Sequence, residues 1–562
     1  MLNSPARWWQ TGIIYQVYPR SFQDSNGDGV GDLQGVIERL DYLVWLGVDA
    51  IWISPIYPSP MADFGYDVAD YCEIDPLFGD LQDFDRLVSE VHRRGLKLIL
   101  DFVPNHTSDR HPWFLESRSS RRNPRRDWYL WRDPASDGGP PNNWLSHFGG
   151  SAWEWDSTTG QYYYHSFLSE QPDLNWRDPE VRRATYDVLR FWLDRGVDGF
   201  RVDVLWLLIK DDQFRDNPIN PTYRPGEQAH DRLLPLYTAD RPEVHEIVAE
   251  MRQVLDSYDG RVLIGEIYLP IERLVTYYGP GLRGAHLPFN FQLISTVWTA
   301  TDIARVITDY LSALPAGAWP NWVLGNHDNS RVASRIGRSQ ARVAAMLLLT
   351  LRGTPTIYYG EEIGMADLPI APEDVRDPRE RQQPGLGLGR DPERTPMLWD
   401  SSDGAGFTRG TPWLPIGEKE QSGNVEEMSR DPRSILTLYR RLIDLRRTHR
   451  ALSIGALSGL KVAGKVLVYQ RTLGAERFTV VLNLGHEPCT VLRPSSAAGA
   501  SALLSTCLDM QSHEPTSREI ALGADEGVIL GFAPGTENDQ HTRTARSKNA
   551  NAAAPRKDGG RS

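Results

Sequence analysis

Cysteine is scarce. Cys72, Cys489 and Cys507 are the only three in 562 residues, and no paired spacing among them suggests a metal cluster or a disulfide framework, so a reducing compartment fits the chain best. No run of 18 apolar residues occurs, which excludes an ordinary membrane-spanning helix. Met1 to Gln10 reaches Trp8-Trp9 without the apolar stretch of a secretory leader, and the expectation is a cytoplasmic protein with no membrane partner. Positive charge is also in deficit: 61 basic against 74 acidic residues give a net charge of −13. Apart from short clusters such as Arg121, Arg122, Arg125 and Arg126 there is no basic stripe, so nucleic acid is excluded as a partner.

What is present is ordinary globular composition, 40% apolar and 24% charged, with 18 Trp and 22 Tyr. The length exceeds what one core organises, so two or three domains are expected. Flat aromatic faces stack on sugar rings, although most aromatics in a chain of this size fill core. No feature speaks to oligomeric state.

Short β-rich apolar runs, each ended by polar or Gly/Pro residues and followed by helical periodicity, recur along the chain. Candidate strands are Ile13–Tyr18, Asp49–Ser54, Lys97–Phe102, Gly199–Val202, Val262–Gly265, a weak one at Ala285–Leu287, Asn321–Gly325 and Thr354–Tyr359. Eight strands alternating with helices predict an α/β fold, a (β/α)8 TIM barrel built from residues 1–103 and 175–460. Residues 104–174 are too long for a simple βα loop and read as an inserted subdomain after the third strand, with a strand near Tyr162–Phe167. Two further excursions, a proline-rich one at about 210–243 and one at about 365–431, follow strands and so belong on the same barrel end. From about Lys461 to 534 the pattern becomes alternating (Val466–Arg471, Phe478–Leu482, Val528–Phe532), which predicts a C-terminal antiparallel β-sandwich. Residues 535–562 have almost nothing to bury and read as a disordered tail.

Polar residues just past parallel strands converge on one barrel face. There the chain places Asp101 at the third strand, Arg201 and Asp203 at the fourth, Glu266 at the fifth, and His327 and Asp328 after the seventh. One such carboxylate is usually a cap or surface group; a set on four strand ends points to chemistry. Retaining glycoside hydrolysis needs an ionised carboxylate as nucleophile and a protonated carboxyl as acid, roughly 5–5.5 Å apart. Asp203 suits the first role because Arg201, two residues back on the same side of a strand, favours its charged form. Glu266 suits the second, since its apolar flanks Val262-Leu263-Ile264 raise its pKa. His106 and His327 read either as sugar-holding groups or as packed hydrogen-bonding groups.

Asp101–His106, Gly199–Asp203, Glu266 and Asn326–Arg331 resemble, in order and spacing, the four signature regions of the α-amylase superfamily, the family 13 glycoside hydrolases. Gln171-Pro172-Asp173-Leu174-Asn175-Trp176, the opening Tyr15 to Phe22 and the late Arg390-Asp391-Pro392-Glu393-Arg394-Thr395-Pro396-Met397 resemble its α-glucosidase and oligo-1,6-glucosidase branch, and the likeness covers roughly 7–535. The resemblance implies Asp203 as nucleophile, Glu266 as acid/base and Asp328 as the residue fixing the distorted ring. It implies a glucose pocket with Asp63 and Arg394 closing the far end, Tyr66 as a stacking platform, and His106, Phe148, Phe167, Gln171, Arg201 and His327 around the sugar. The implied function is an exo-acting α-glucosidase on short α-glucosides, hydrolysing or transferring glucose, with no organic cofactor. The alternatives are a glucosyltransferase or isomerase, or a non-catalytic homologue of the transporter heavy-chain kind.

Asp24-Ser25-Asn26-Gly27-Asp28-Gly29-Val30-Gly31-Asp32 sets oxygen donors at alternate positions, as in calcium loops, or forms a plain polar turn. By resemblance the ligands are Asp24, Asn26, Asp28, the Val30 carbonyl and Asp32, around a structural Ca2+ or Mg2+. Val204, after the nucleophile, is associated in this branch with α-1,6 tolerance, but Leu205-Trp206-Leu207-Leu208 departs from the usual continuation, so linkage stays open between α-1,4, α-1,6 and aryl or sucrose-type glucosides. The Arg-Asp-Arg-Asp type loop of sucrose isomerases is missing.

Overall fold

A computed structural model describes residues 6–417, 423–509 and 517–532; the expected tail at 535–562 lies outside the described residues. Eight parallel strands form the central sheet: β1 (Ile14–Val17), β2 (Ala50–Ile53), β3 (Lys97–Phe102), β4 (Gly199–Val202), β5 (Val262–Gly265), β6 (Leu287–Pro288), β7 (Asn321–Val323) and β8 (Thr354–Tyr358). Consecutive strands pair from β1 to β6, β7 pairs with β8, and β8 returns to β1 through Ile14↔Thr356. Only the β6/β7 seam lacks a backbone ladder. The Asn321 side chain bridges it: its Oδ1 accepts from the Asn290 N–H at 2.9 Å and its Nδ2 donates to the Pro288 carbonyl at 2.5 Å. The barrel interior is filled by a cluster that includes Ile14, Trp52, Ile99, Ile264, Leu287 and Val323, so it is a packed core whose chemistry must lie at one end.

Helices cover the strands for local reasons visible in sequence. Leu81–Arg93 buries Phe84, Leu87, Val88 and Val91, a spacing of three and four, and Asp80 caps it by accepting from the Gln82 and Asp83 N–H groups. Replacing such a cap with Ala costs about 1 kcal/mol. Pro179–Asp194 starts with Pro at its first position behind the Asp178 cap, where a missing N–H costs nothing.

The insertion after β3 contains an antiparallel three-stranded sheet of Trp131–Arg132, Gln161–Tyr164 and Trp153–Asp156. A fully buried clasp ties it to the barrel: Asp173 accepts from Asn105 Nδ2 at 2.9 Å and from Ser166 Oγ at 2.7 Å, and pairs with Lys210, whose Nζ also reaches Asn105 Oδ1 at 2.7 Å. The C-terminal domain is an antiparallel five-stranded sheet beside a two-stranded one. It starts at Ala456–Ala463, ahead of the expected Lys461, because that strand is largely exposed and carries no alternating apolar signal. Among the described residues no helix is long and apolar enough to cross a membrane.

Candidate active site

Asp101 and Arg201 are register partners across β3 and β4, so the pairing of these strands puts a guanidinium among carboxylates at their C-terminal ends. Arg201 is completely buried; its Nη1 donates to Asp101 Oδ1 and to Asp203 Oδ1, both at 2.8 Å, while Nη2 forms an ion pair with Glu266 Oε2 at 2.9 Å. The Trp52 ring supports it, 5.1 Å from the guanidinium carbon. Glu266 Oε2 also accepts the Val204 N–H at 2.7 Å. Val204 reaches that position in the left-handed region, φ 37° and ψ 46°, where a β-branched side chain costs about 1–3 kcal/mol. Strain therefore aims one backbone N–H at the carboxyl beside Asp203.

Burial pushes Asp203 well above the ordinary carboxylate range, Glu266 adds to this, and Arg201 opposes it. Burial also raises Glu266, again against Arg201. Arg201 favours the charged form of Asp203, in the expected direction, but one cation is divided among Asp101, Asp203 and Glu266 and burial acts against it. Asp203 and Glu266 lie on the same guanidinium, so their titrations are linked.

Asp328 behaves differently. Burial raises its carboxyl, but the guanidinium groups of Arg390, Arg394 and Arg201 outweigh that and hold it far below the ordinary range. Arg394 Nη2 donates to it at 2.8 Å and Arg390 Nη1 at 3.2 Å. His327, which burial keeps neutral, accepts from the Gln16 amide at Nδ1 (2.8 Å) and meets the Tyr66 hydroxyl through Nε2 (2.6 Å). Tyr66 lies parallel to that imidazole, with 5.4 Å between centroids, and donates to Asp101 at 3.0 Å. His106 is neutral as well, pushed down to about 4 by burial.

These groups meet at a cavity of about 410 Å³ bordered by Asp63, Tyr66, His106, Phe148, Phe167, Asp203, Glu266, Asp328 and Arg390 on its inner side. Phe148 and Phe167 meet edge to face at 5.5 Å on its wall. Gln171, Arg201, His327 and Arg394 are fully buried behind it; they brace the residues that face it. Arg394 does not pair with Asp63. The residue that does is Arg390, 2.7 Å from Asp63 Oδ1 and also 2.7 Å from Asp377 Oδ2.

The alpha amylase catalytic-domain model matches residues 16–455. A probable alpha-glucosidase of Rhizobium meliloti (strain 1021) is 43% identical over 505 residues, 87% of this chain and 92% of that protein. An oligo-1,6-glucosidase of Parageobacillus thermoglucosidasius is 41% identical, with 85% and 91% covered. The crystal structure of the alpha-glucosyl transfer enzyme XgtA superposes with a TM-score of 0.88 at 39% identity, covering 94% of this chain and all of that one. The chain belongs to the α-amylase superfamily. Within it, it falls in the glucosidase branch of the glycoside hydrolases, and it is an enzyme.

The metal loop expected of this superfamily member is held by its own hydrogen bonds. Asp24 accepts from the N–H groups of Asn26, Gly27 and Gly29 at 2.7–3.0 Å, Asn26 Oδ1 from Asp28, Asp28 Oδ1 from Val30, and Asp32 caps a helix through the Gly35 N–H. Every donor atom is a hard oxygen, which suits Ca2+ or Mg2+, and Asp28 Oδ2 carries none of these bonds. Among the described residues, however, no three His, Cys, Asp or Glu side chains gather as a metal-holding group, so an ion held here would need the Asn26 amide and the Val30 carbonyl in its set.

Sequence reasoning missed three parts of the site. Arg390 stands four positions before Arg394 in one motif, and nothing in the motif says which arginine lines the cavity. Asp377, which holds Arg390, sits in the third excursion without a recognisable spacing. The rim, where His147 and His230 stack at 3.8 Å and Arg379 Nη2 bonds Gln228 at 2.6 Å, forms between loops far apart in sequence.

Proposed function

We propose that the protein is an exo-acting, retaining α-glucosidase that removes the non-reducing-end glucose of short α-glucosides, with transfer to other acceptors from the same intermediate. The observation that carries this reading is the grip of Arg201 on both Asp203 and Glu266 in a pocket whose far end is sealed by the Asp63–Arg390 pair. Asp203 attacks the anomeric carbon while Glu266 protonates the departing oxygen; Glu266 then takes a proton from water or an acceptor as the ester breaks. Asp328, held ionised, binds the glucose hydroxyls and stabilises the cationic transition state. A sealed far end admits one terminal residue, which makes the action exo. Similarity to a glucosyl transfer enzyme supports the transfer branch.

The loop at 24–32 is proposed to take Ca2+, which would crosslink the turn after β1. Chelation should lower Tm and added Ca2+ restore it; a Tm indifferent to both overturns the site. Three free cysteines support a cytoplasmic setting.

The direct test is an NMR time course on maltose and isomaltose separately. Release of α-glucose supports retention, and the relative rates assign the linkage. Release of β-glucose overturns the mechanism, and no turnover of either sugar, of sucrose or of an aryl α-glucoside overturns the activity.

A further inference from the structure

A second cavity, of about 490 Å³, lies on the outside of the barrel between the helix that leads into β2, Leu40–Leu46, and the helix Ile435–Thr448. It shares no lining residue with the catalytic cavity. In a chain of net charge −13, four guanidinium groups border it, those of Arg430, Arg440, Arg441 and Arg447, against the single carboxylate of Asp444. Two of the four are committed to protein. Arg430 pairs with Glu426 at 2.5 Å, and Arg447 donates to the Gly47 carbonyl at 3.3 Å with Asp49 3.7 Å away. The other two are not. Arg440 lies over the Trp45 ring at 3.9 Å and its Nε donates to the Trp45 carbonyl at 3.1 Å, which fixes the guanidinium plane and leaves both Nη groups open. Among the described residues no hydrogen bond or ion pair engages those Nη groups, Arg441 or Asp444.

A lone exposed arginine is ordinarily hydrated and marks nothing. Here the Arg440 guanidinium is held in place before any ligand arrives, so less freedom is lost on binding, and Arg441 borders the same volume. Neighbouring residues of a helix point about 100° apart, so the two forks reach the cavity from different directions. A planar carboxylate is satisfied by one fork, whereas a phosphate group, with three acceptor oxygens and up to two negative charges, can take both. The cavity is larger than the catalytic one, with room for a body beyond the phosphate, and Asp444 is left as an acceptor for that body's hydroxyls. We infer that this groove binds a phosphate-bearing small molecule, a sugar phosphate or the free ion, through Arg440 and Arg441. No catalytic group takes part.

The test is isothermal titration of the full-length enzyme with glucose 6-phosphate and, separately, with inorganic phosphate, at an ionic strength fixed with NaCl. Saturable binding of at least one is expected, weakened about tenfold by Arg440→Gln and, separately, by Arg441→Gln, the scale of a hydrogen bond to a charged group, with the Tm of the unliganded protein unchanged. Tighter binding of glucose 6-phosphate supports the site with the ester as its ligand, and equal binding supports it with the free ion. Glucose should not compete. Competition by glucose places the binding in the catalytic cavity and overturns the proposal, as does the absence of saturable heat with both anions, or binding that both arginine variants leave unchanged.

Discussion

Arg390 Nη2 donates to Asp63 Oδ1 at 2.7 Å, joining two residues 327 positions apart in the chain. Because the same guanidinium holds Asp377 and touches Asp328, the far end of the pocket depends on a planar fork with three anionic partners. Lysine offers the charge without the fork. Arg390→Lys should therefore raise KM and lower kcat/KM by about ten- to a hundredfold on an aryl α-glucoside, with little change in Tm. Arg394, which donates to the His327 carbonyl at 2.7 Å and has no exposed surface, braces the site; Arg394→Lys should lower Tm as well. Equal behaviour of the two variants in kinetics and calorimetry contradicts this division.

Asp203→Asn should abolish turnover with an unaltered circular dichroism spectrum, whereas Glu266→Gln should retain most activity on aryl glucosides whose leaving groups need no proton. Undiminished activity of the Asp203 variant removes it as nucleophile.

The linked pair of Asp203 and Glu266 predicts a bell-shaped kcat/KM profile. Below the lower apparent pKa both carboxyls are protonated and no nucleophile exists; above the higher one both are ionised and no acid exists. Burial raises both groups, so both limbs should lie above the ordinary carboxylate range. Glu266→Gln should remove the alkaline limb on an activated substrate. A profile flat from pH 4 to 9 is incompatible with the pair.

Away from the pocket, burial raises Glu361 to about 8 against the neighbouring Arg335 and Arg331, and among the described residues no side chain bonds either of its oxygens. With the folded pKa above the unfolded one, its favourable contribution is complete below pH 4.5, the unfolded value, and is lost as pH rises towards 8. Glu361→Gln should thus raise Tm by a few degrees at pH 8.5 and by much less at pH 5. A gain independent of pH assigns the effect to packing.

Much of this architecture was legible because parallel barrel strands are buried on both faces and read as short apolar runs. The strand least visible in sequence, near Ala285–Leu287, is Leu287–Pro288, two residues long and ended by a proline that cannot donate to a ladder. The strand-end carboxylates were legible for a related reason, since β-geometry alone puts Arg201 and Asp203 on one side. The pairing of Asp63 was not: Arg390 and Arg394 flank a single 3₁₀ turn at Asp391–Glu393, and only the folded loop decides which of them points outward. Nor could local pattern show that burial outweighs Arg201 at Asp203, because that balance depends on how many anions share one cation.

The seam stitched by Asn321 has a mechanical consequence. Every other joint of the barrel is a backbone ladder, so a breathing motion should begin between β6 and β7, and amides of 287–291 should exchange before those of β1 to β5. Phe291 lies at that joint and stacks on Tyr268 at 4.2 Å, nearly parallel. Tyr268 lines the cavity, so opening of that seam should be felt at the cleft, and a substrate that wedges against Tyr268 should speed exchange of the amides at 287–291.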